Sequence, residues 1–101
     1  MTGFQLQRPP TSPGKVLREE FLDSSEITQD QLAKALNVSR LTVNQLLNEK
    51  RAVTAEMAVR LGWVTNTTPD FWLNLQLKMD IWQATSKLSA EYYNLTKLSE
   101  L

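Results

Sequence analysis

In the segment Thr28-Gln-Asp-Gln-Leu-Ala-Lys-Ala-Leu-Asn-Val-Ser-Arg-Leu-Thr-Val-Asn-Gln-Leu-Leu-Asn48, two short helical periodicities follow one another across a single turn. Thr28 and Gln31 have the spacing of a capping box, which starts a helix by satisfying otherwise unpaired amides. Asn37 tolerates the left-handed conformation that ends a helix, and Ser39 is suited to cap the next one. Buried faces are predicted on both sides of the turn: Leu32, Ala33 and Leu36, then Val43, Leu46 and Leu47. Two short helices joined by a tight turn predict a helix-turn-helix motif.

The outward face of the second helix carries the candidate base-reading side chains. Four side chains point away from the buried side on a helical wheel: Leu41, Asn44, Gln45 and Asn48. Amide side chains can pair bidentately with adenine, and a leucine can contact the methyl group of thymine. Amide side chains also commonly do no more than solvate the surface of a helix. The outward leucine beside them favours a DNA groove over bulk water.

The composition excludes several classes of protein. The chain has 101 residues, the size of one small domain, and it contains neither cysteine nor histidine. This argues against disulfides, an ordinary zinc site and thiol or imidazole catalysis, so we expect no enzyme activity, no cofactor and no metal. No apolar run approaches about 18 residues, and the N-terminus lacks a secretory apolar core. We therefore expect a cytoplasmic protein without a membrane partner.

Charge is balanced overall but is unevenly distributed along the chain. The net charge is zero at pH 7, which argues against non-specific coating of nucleic acid. Of the segments 1–27, 28–51 and 52–101, only residues 28–51 have more basic than acidic groups: Lys34, Arg40, Lys50 and Arg51 against Asp30 and Glu49. So small an excess favours a dimer, which doubles the phosphate contacts. The turn with Lys50 and Arg51 is predicted to lie near the DNA backbone, although a merely solvated turn has the same composition.

Three further helices and two chain ends complete an all-α prediction. Residues 1–12 lack an apolar periodicity and are predicted to form a flexible arm. Helices are predicted from Pro13 to about Asp23, from Thr54 onward, and from Pro69 to about Thr85. The helix-turn-helix domain is therefore expected over residues 13–85, with a C-terminal extension of possible helical character over residues 86–101.

The fifth predicted helix has two apolar stripes. A core-facing stripe spans an arc of roughly 100° and contains Phe71, Trp72, Leu75, Met79 and Trp82. A second stripe near the opposite side contains Leu73, Leu77 and Ile81. Because one core cannot cover both, the second stripe is predicted to be a dimer or partner surface. The alternative is that the C-terminal tail covers it through Leu88, Tyr92, Leu95 and Leu98.

Four segments stand out beside the helix-turn-helix: Ser12-Pro-Gly-Lys-Val-Leu-Arg-Glu-Glu-Phe-Leu22, Asn48-x-Lys-Arg-x-Val-Thr54, Met57-Ala-Val-Arg-Leu61 and Pro69-Asp-Phe-Trp-Leu-Asn-Leu-Gln76. Together with the helix-turn-helix they resemble HigA-type (VapI-like) antitoxins, which belong to the phage-repressor-like (XRE) helix-turn-helix class, and the resemblance covers residues 12 to about 84. The Phe-Trp-Leu-Asn-Leu-Gln run is specific, whereas the helix-turn-helix alone is widely shared. Glu49 and Asn66 stand where similar sequences often have glycine, and Gly62-Trp63 interrupts a helix end that is usually rich in alanine.

The resemblance implies a homodimer that binds double-stranded palindromic operator DNA, represses its own operon and inactivates a HigB-type toxin, a ribosome-dependent ribonuclease. Carried onto this sequence, it implies phosphate or backbone contacts from Gln29, Ser39, Thr42, Lys50 and Arg51. Base contacts are implied for Arg40, Leu41, Asn44 and Gln45. The two recognition helices of such a dimer would lie about 34 Å apart.

Two other functions remain open at this point. The chain could be a stand-alone repressor without a toxin, which is a related regulatory role. It could instead be a protein-interaction module that no longer binds DNA and uses the second stripe, a possibility that the zero net charge favours. A toxin could dock on the arm 1–12, on the tail 86–101 or on the second stripe.

Overall fold

Five helices make up the body of the protein in the computed structural model, which describes residues 8–101 apart from the side chains of Ala90, Tyr92 and Tyr93. In order these are α1 Pro13–Val16, α2 Gln29–Leu36, α3 Arg40–Leu47, α4 Ala55–Val64 and α5 Pro69–Leu88. A π-helical segment, Leu17–Asp23, continues α1, and two 3-10 turns, Ser89–Asn94 and Leu98–Glu100, follow α5. The described residues contain no strand, so the predicted all-α, five-helix order is confirmed. None of these helices combines the length and apolar character needed to cross a lipid bilayer.

Each helix begins at a serine or threonine whose side chain accepts a hydrogen bond from the backbone amide three residues further on. These residues are Ser12, Thr28, Ser39, Thr54 and Thr68. The capping box is complete, because the Thr28 N–H also donates to Gln31 Oε1 at 2.9 Å. Such caps each stabilise a helix by about 1 kcal/mol. Residues 1–7, which include most of the predicted arm, lie outside the described residues.

Three helices end at a non-glycine residue in the left-handed conformation. Asn37, Glu49 and Asn66 have φ values of 58°, 58° and 59°. In each case the next amide donates back to the carbonyl five residues earlier, as from Lys50 to Gln45 at 2.8 Å. This bonding pattern satisfies helix carbonyls that would otherwise lack a partner. Glu49 and Asn66 therefore adopt a conformation that glycine reaches more readily than residues with a Cβ.

The core is built around Trp72, which is completely buried. Its indole Nε1–H donates to Thr67 Oγ1 at 2.8 Å, so the ring is buried without leaving its polar atom unpaired. The other largest fully buried side chains belong to the same cluster and come from four other elements: Leu17, Leu36, Val43 and Leu61. The sequence places Phe71 on the core-facing stripe, but in the structure Phe71 is 40% exposed, and its ring packs edge-on against Trp72 with centroids 5.1 Å apart.

Helix α5 runs to Leu88, about three residues beyond its predicted end, and crosses the expected boundary at residue 85. The side chains of its second apolar stripe are buried to different extents. Leu73 packs against the core and is partly buried, whereas Leu77 and Ile81 are 54% and 55% exposed. Leu88, Leu95 and Leu98 in the tail are exposed as well, and the side chain of Tyr92 lies outside the described ones. The tail therefore leaves Leu77 and Ile81 uncovered.

Candidate nucleic-acid interface

Helix α3 buries one face and presents the other to solvent, as the sequence predicts. Val43, Leu46 and Leu47 are buried against the rest of the domain. On the outer face Leu41 is 63% exposed, Asn44 is exposed and Gln45 is half-buried. Leaving a leucine in water costs free energy on the order of 1.5–3 kcal/mol relative to burying it. The outer face thus offers an apolar contact and amide groups side by side.

The amino-terminal ends of α2 and α3 lie together. Arg40 Nη1 is 3.2 Å from Asp30 Oδ2, so the first turns of the two helices are in contact. Both side chains are more than 60% exposed, and an ion pair of this kind contributes at most about 1 kcal/mol. Arg40 can therefore exchange this carboxylate for another acceptor at little cost.

Ser39 and Thr42 use their polar atoms to start α3. Ser39 Oγ accepts from the Thr42 N–H at 3.1 Å and lies 2.9 Å from Thr42 Oγ1. Asn48, which the helical wheel places on the outer face, instead donates from Nδ2 to the carbonyl of Asn44 at 3.0 Å. The Asn48 amide is therefore bonded to the backbone at the end of α3. The other three side chains that the helical wheel places on the outer face are Leu41, Asn44 and Gln45.

Gln29, at the first turn of α2, is half-buried. Its Oε1 is buried and has no hydrogen-bond partner among the described residues. The other polar atom of this side chain, the amide nitrogen, is a hydrogen-bond donor. A donor at this position matches an acceptor such as a phosphate oxygen.

The turn after α3 folds back along that helix. Because Glu49 is left-handed and the Lys50 N–H donates to the Gln45 carbonyl, Arg51 lies beside Gln45, six positions earlier in the chain. Arg51 donates to Gln45 Oε1 from Nε at 3.0 Å and from Nη2 at 2.7 Å. Lys50 and Arg51 are both exposed next to the outer face of α3, so the turn brings two cations to this surface.

Two arginines from other helices hold the carboxyl ends of α2 and α3. Arg18 Nη2 donates to the Leu47 carbonyl at 3.4 Å, and Arg60 Nη1 donates to the Leu36 carbonyl at 2.8 Å. A cation at a helix carboxyl end also interacts favourably with the helix dipole. Sequence reasoning missed both residues, because they lie 29 and 24 positions from their acceptors and no periodicity links them.

A glycine allows α1 to approach α3 closely. A methyl group placed on Gly14 would lie 2.4 Å from the Leu46 carbonyl oxygen and 3.0 Å from that of Leu47. Real side chains do not make contacts this short, so only glycine permits the packing. The carboxyl end of α3 therefore lies directly on the backbone of α1, which together with Arg18 fixes its direction.

Comparison with known proteins identifies relatives of this chain. A sequence model of the helix-turn-helix family matches residues 17–72. An uncharacterized HTH-type transcriptional regulator of Haemophilus influenzae is 46% identical over 77 residues, which cover 76% of this chain and 72% of the relative. Antitoxin HigA-1 of Vibrio cholerae is 39% identical over 87 residues, covering 86% of this chain and 82% of the relative.

Solved structures resemble the whole domain. Antitoxin GraA superposes with a TM-score of 0.83 at 40% identity, covering 89% of this chain and 97% of GraA. Pseudomonas aeruginosa antitoxin HigA, solved with the higBA promoter, superposes with a TM-score of 0.82 at 37% identity, covering 88% of this chain and 97% of HigA. At these identities the similarity extends beyond the fold to the sequence.

Proposed function

This chain belongs to the helix-turn-helix family that includes HigA-type antitoxins, and we propose that it is a DNA-binding antitoxin that represses its own operon as a homodimer. In this role it also binds and neutralises a HigB-type mRNA-cleaving toxin in the cytoplasm. The relatives are regulators and antitoxins rather than enzymes, in agreement with the expectation from the sequence. The observation that carries the proposal is the solvent-exposed outer face of α3, in a chain similar to an antitoxin solved with its promoter.

The proposed DNA contacts divide into those that position the protein and those that read sequence. Leu41, Asn44 and Gln45 lie on the outer face of α3 and suit base edges, as does Arg40 once it leaves Asp30. Gln29, Ser39 and Thr42 lie at the first turns of α2 and α3, where helix amino-terminal ends attract phosphate. Lys50 and Arg51 add two cations beside them. This division predicts base-specific losses for the first group and uniform losses for the second.

The proposed dimer uses the exposed part of the second stripe on α5. Leu77 and Ile81 leave more than half of their surface in water, an arrangement that association with a second copy would relieve. Leu73 belongs to the same stripe but is partly buried against the core, so it would lie at the edge of the dimer interface. A dimer doubles the number of phosphate contacts, which compensates for the small positive excess of one protomer.

Co-expression with the adjacent small open reading frame tests the antitoxin role. Affinity capture of this chain should co-purify a small protein, and expression of that protein alone should stop growth. Repression is tested separately by a gel shift with the chain's own promoter over a range of salt concentrations. Binding that weakens steeply with salt supports phosphate contacts. Binding that is absent or insensitive to salt would instead favour a protein-interaction module.

A stand-alone repressor is the second candidate function. The observation that favours it is the 46% identity to a Haemophilus influenzae protein named as a transcriptional regulator and not as an antitoxin. Such a repressor would bind its promoter in the gel shift, yet no neighbouring gene product would co-purify with it or arrest growth. The two experiments together therefore separate the candidates.

A further inference from the structure

We propose that Arg51 is a positioning residue that fixes the orientation of the Gln45 amide, so that Gln45 presents only N–H donors to the DNA bases. The inference rests on the proposed function, because it concerns how the same face of α3 reads sequence. It starts from two short hydrogen bonds. Gln45 Oε1 accepts from Arg51 Nε at 3.0 Å and from Arg51 Nη2 at 2.7 Å.

The chemistry of the two groups determines which way the amide points. A guanidinium group carries five N–H donors and no acceptor, and the nitrogen of a glutamine amide is also only a donor. If the amide were turned over, N–H groups would face N–H groups across distances of about 3 Å. The Gln45 oxygen must therefore face Arg51 for as long as the contact persists, and the amide nitrogen must face the other way.

The contact also uses the acceptor capacity of Gln45. An amide oxygen has two lone pairs, and the two bonds from Arg51 occupy both. Bidentate recognition of adenine by glutamine requires the oxygen to accept from N6–H while the nitrogen donates to N7. A Gln45 held by Arg51 lacks the first of these bonds. Its remaining donors match guanine best, because guanine presents two acceptors, N7 and O6, on one edge.

The local backbone maintains this arrangement without any DNA. The left-handed Glu49 reverses the chain, and the Lys50 N–H bonds to the Gln45 carbonyl at 2.8 Å, which holds the turn against the last turns of α3. Arg51 follows directly and reaches the Gln45 side chain. Two of its five N–H groups are engaged there, so three remain for a phosphate. Arg51 can thus contact the backbone and orient a base-reading residue at the same time.

Arg51→Lys separates these two roles, because lysine keeps the charge but its ammonium donates a single bond to the Gln45 oxygen, which leaves the second lone pair free to accept from adenine N6–H. The probe is a set of duplexes carrying every single-base substitution in a fragment of the chain's own promoter, and Gln45→Ala identifies the base pair that Gln45 reads. At that pair the wild type should prefer guanine over adenine by about tenfold. Arg51→Lys should reduce this preference to about twofold or reverse it, with the other positions and the salt slope unchanged.

Arg51→Lys combined with Gln45→Ala is the matched control, and it should show no base preference beyond that of Gln45→Ala alone. A uniform loss of affinity in Arg51→Lys, with an unchanged preference at the Gln45 position, would overturn the inference while leaving the proposed function intact. A wild type that binds no promoter DNA would overturn the proposed function itself. NMR spectra of the free protein give a readout that does not depend on DNA. The Gln45 side-chain amide signals should shift in Arg51→Lys, and unchanged signals would also overturn the inference.

Discussion

Gln76 on α5 accepts a hydrogen bond of 2.8 Å through Oε1 from the backbone N–H of Val53, in the turn that follows α3. Its Nε2 donates to Asp80 Oδ1 at 2.9 Å, which holds the amide in place. Val53 is buried, so this bond satisfies an amide that has little access to water. Helix α5, which carries the exposed Leu77 and Ile81, is thereby joined to the turn beside the outer face of α3.

Removing this link should destabilise the protein. We expect Gln76→Ala to lower the free energy of unfolding by about 1–3 kcal/mol, since it leaves the Val53 N–H without its partner. Urea denaturation measures the change. Gln83→Ala is the matched control, because Gln83 is exposed on the same helix, and its effect should stay within about 0.5 kcal/mol. Equal losses in the two variants would contradict a specific role for the Gln76 bond.

A methyl group at Gly14 should disturb the packing of α1 on α3. Because the added carbon would lie 2.4 Å from the Leu46 carbonyl oxygen, the helices must separate. We expect Gly14→Ala to cost about 1–3 kcal/mol, measured by thermal or urea unfolding. Lys15→Ala, at the exposed neighbouring position, should have almost no effect. A Gly14→Ala protein as stable as the wild type would show that α1 can shift freely.

Glycine at position 49 should stabilise the protein. Glu49 has a φ of 58°, a conformation that costs a residue with a Cβ about 1–2 kcal/mol and glycine little. After the greater chain entropy of unfolded glycine is subtracted, Glu49→Gly should gain about 1 kcal/mol. Glu49→Ala removes the same charge but retains the strained backbone, so it should gain nothing. If both variants gain equally, the effect comes from charge and not from the backbone.

Residues proposed to read bases and residues proposed to contact phosphates should differ in how their removal affects DNA binding. Asn44→Ala should cost about 1–3 kcal/mol at one base position and relax specificity there. Lys50→Ala should weaken binding to all sequences and reduce the salt slope by about one unit. Fluorescence anisotropy with promoter and random duplexes at several salt concentrations measures both effects. Asn44→Ala losses that are equal on the two duplexes would rule out a base-reading role for this residue.

A charge in the exposed part of the second stripe should disrupt the proposed dimer. Ile81→Glu should shift the protein towards monomer in sedimentation velocity experiments, because a buried unpaired carboxylate is strongly unfavourable. Ile81 is 55% exposed in the protomer, so the variant should fold normally by circular dichroism. Lys78→Glu places the same charge at an exposed polar position of α5 and should leave association unchanged. If the Ile81→Glu protein still forms a dimer, the interface must lie on another surface.

Local chemistry made much of the fold predictable. Thr28, Ser39 and Thr68 indicate where helices begin, and Asn37 indicates the turn between α2 and α3. These features are predictable because helix capping and a left-handed backbone depend on only a few neighbouring residues. The buried faces of α2 and α3 follow from spacing alone. The motifs shared with HigA-type antitoxins are contiguous runs of residues, so they indicate the family without any knowledge of tertiary contacts.

Helical periodicity was less informative for α5, where apolar residues occupy more than one side. It assigned Leu73 to the outer stripe and Phe71 to the core, yet Leu73 packs inward and Phe71 is 40% exposed. A helical wheel gives the direction in which each side chain points. It does not show where along the helix axis the neighbouring helices end, so it cannot predict which residues of a stripe they bury.

The order of residues along the chain was enough to predict where the helices begin, which face of α3 is exposed and to which family the protein belongs. The contacts that hold this face in place emerged from the packed fold alone: Arg18 on the Leu47 carbonyl, Arg60 on the Leu36 carbonyl and Gln76 on the Val53 amide. These contacts join residues 23 to 29 positions apart. Spacing rules describe neighbours within a turn or two, whereas partners at such separations meet only when the whole chain is packed.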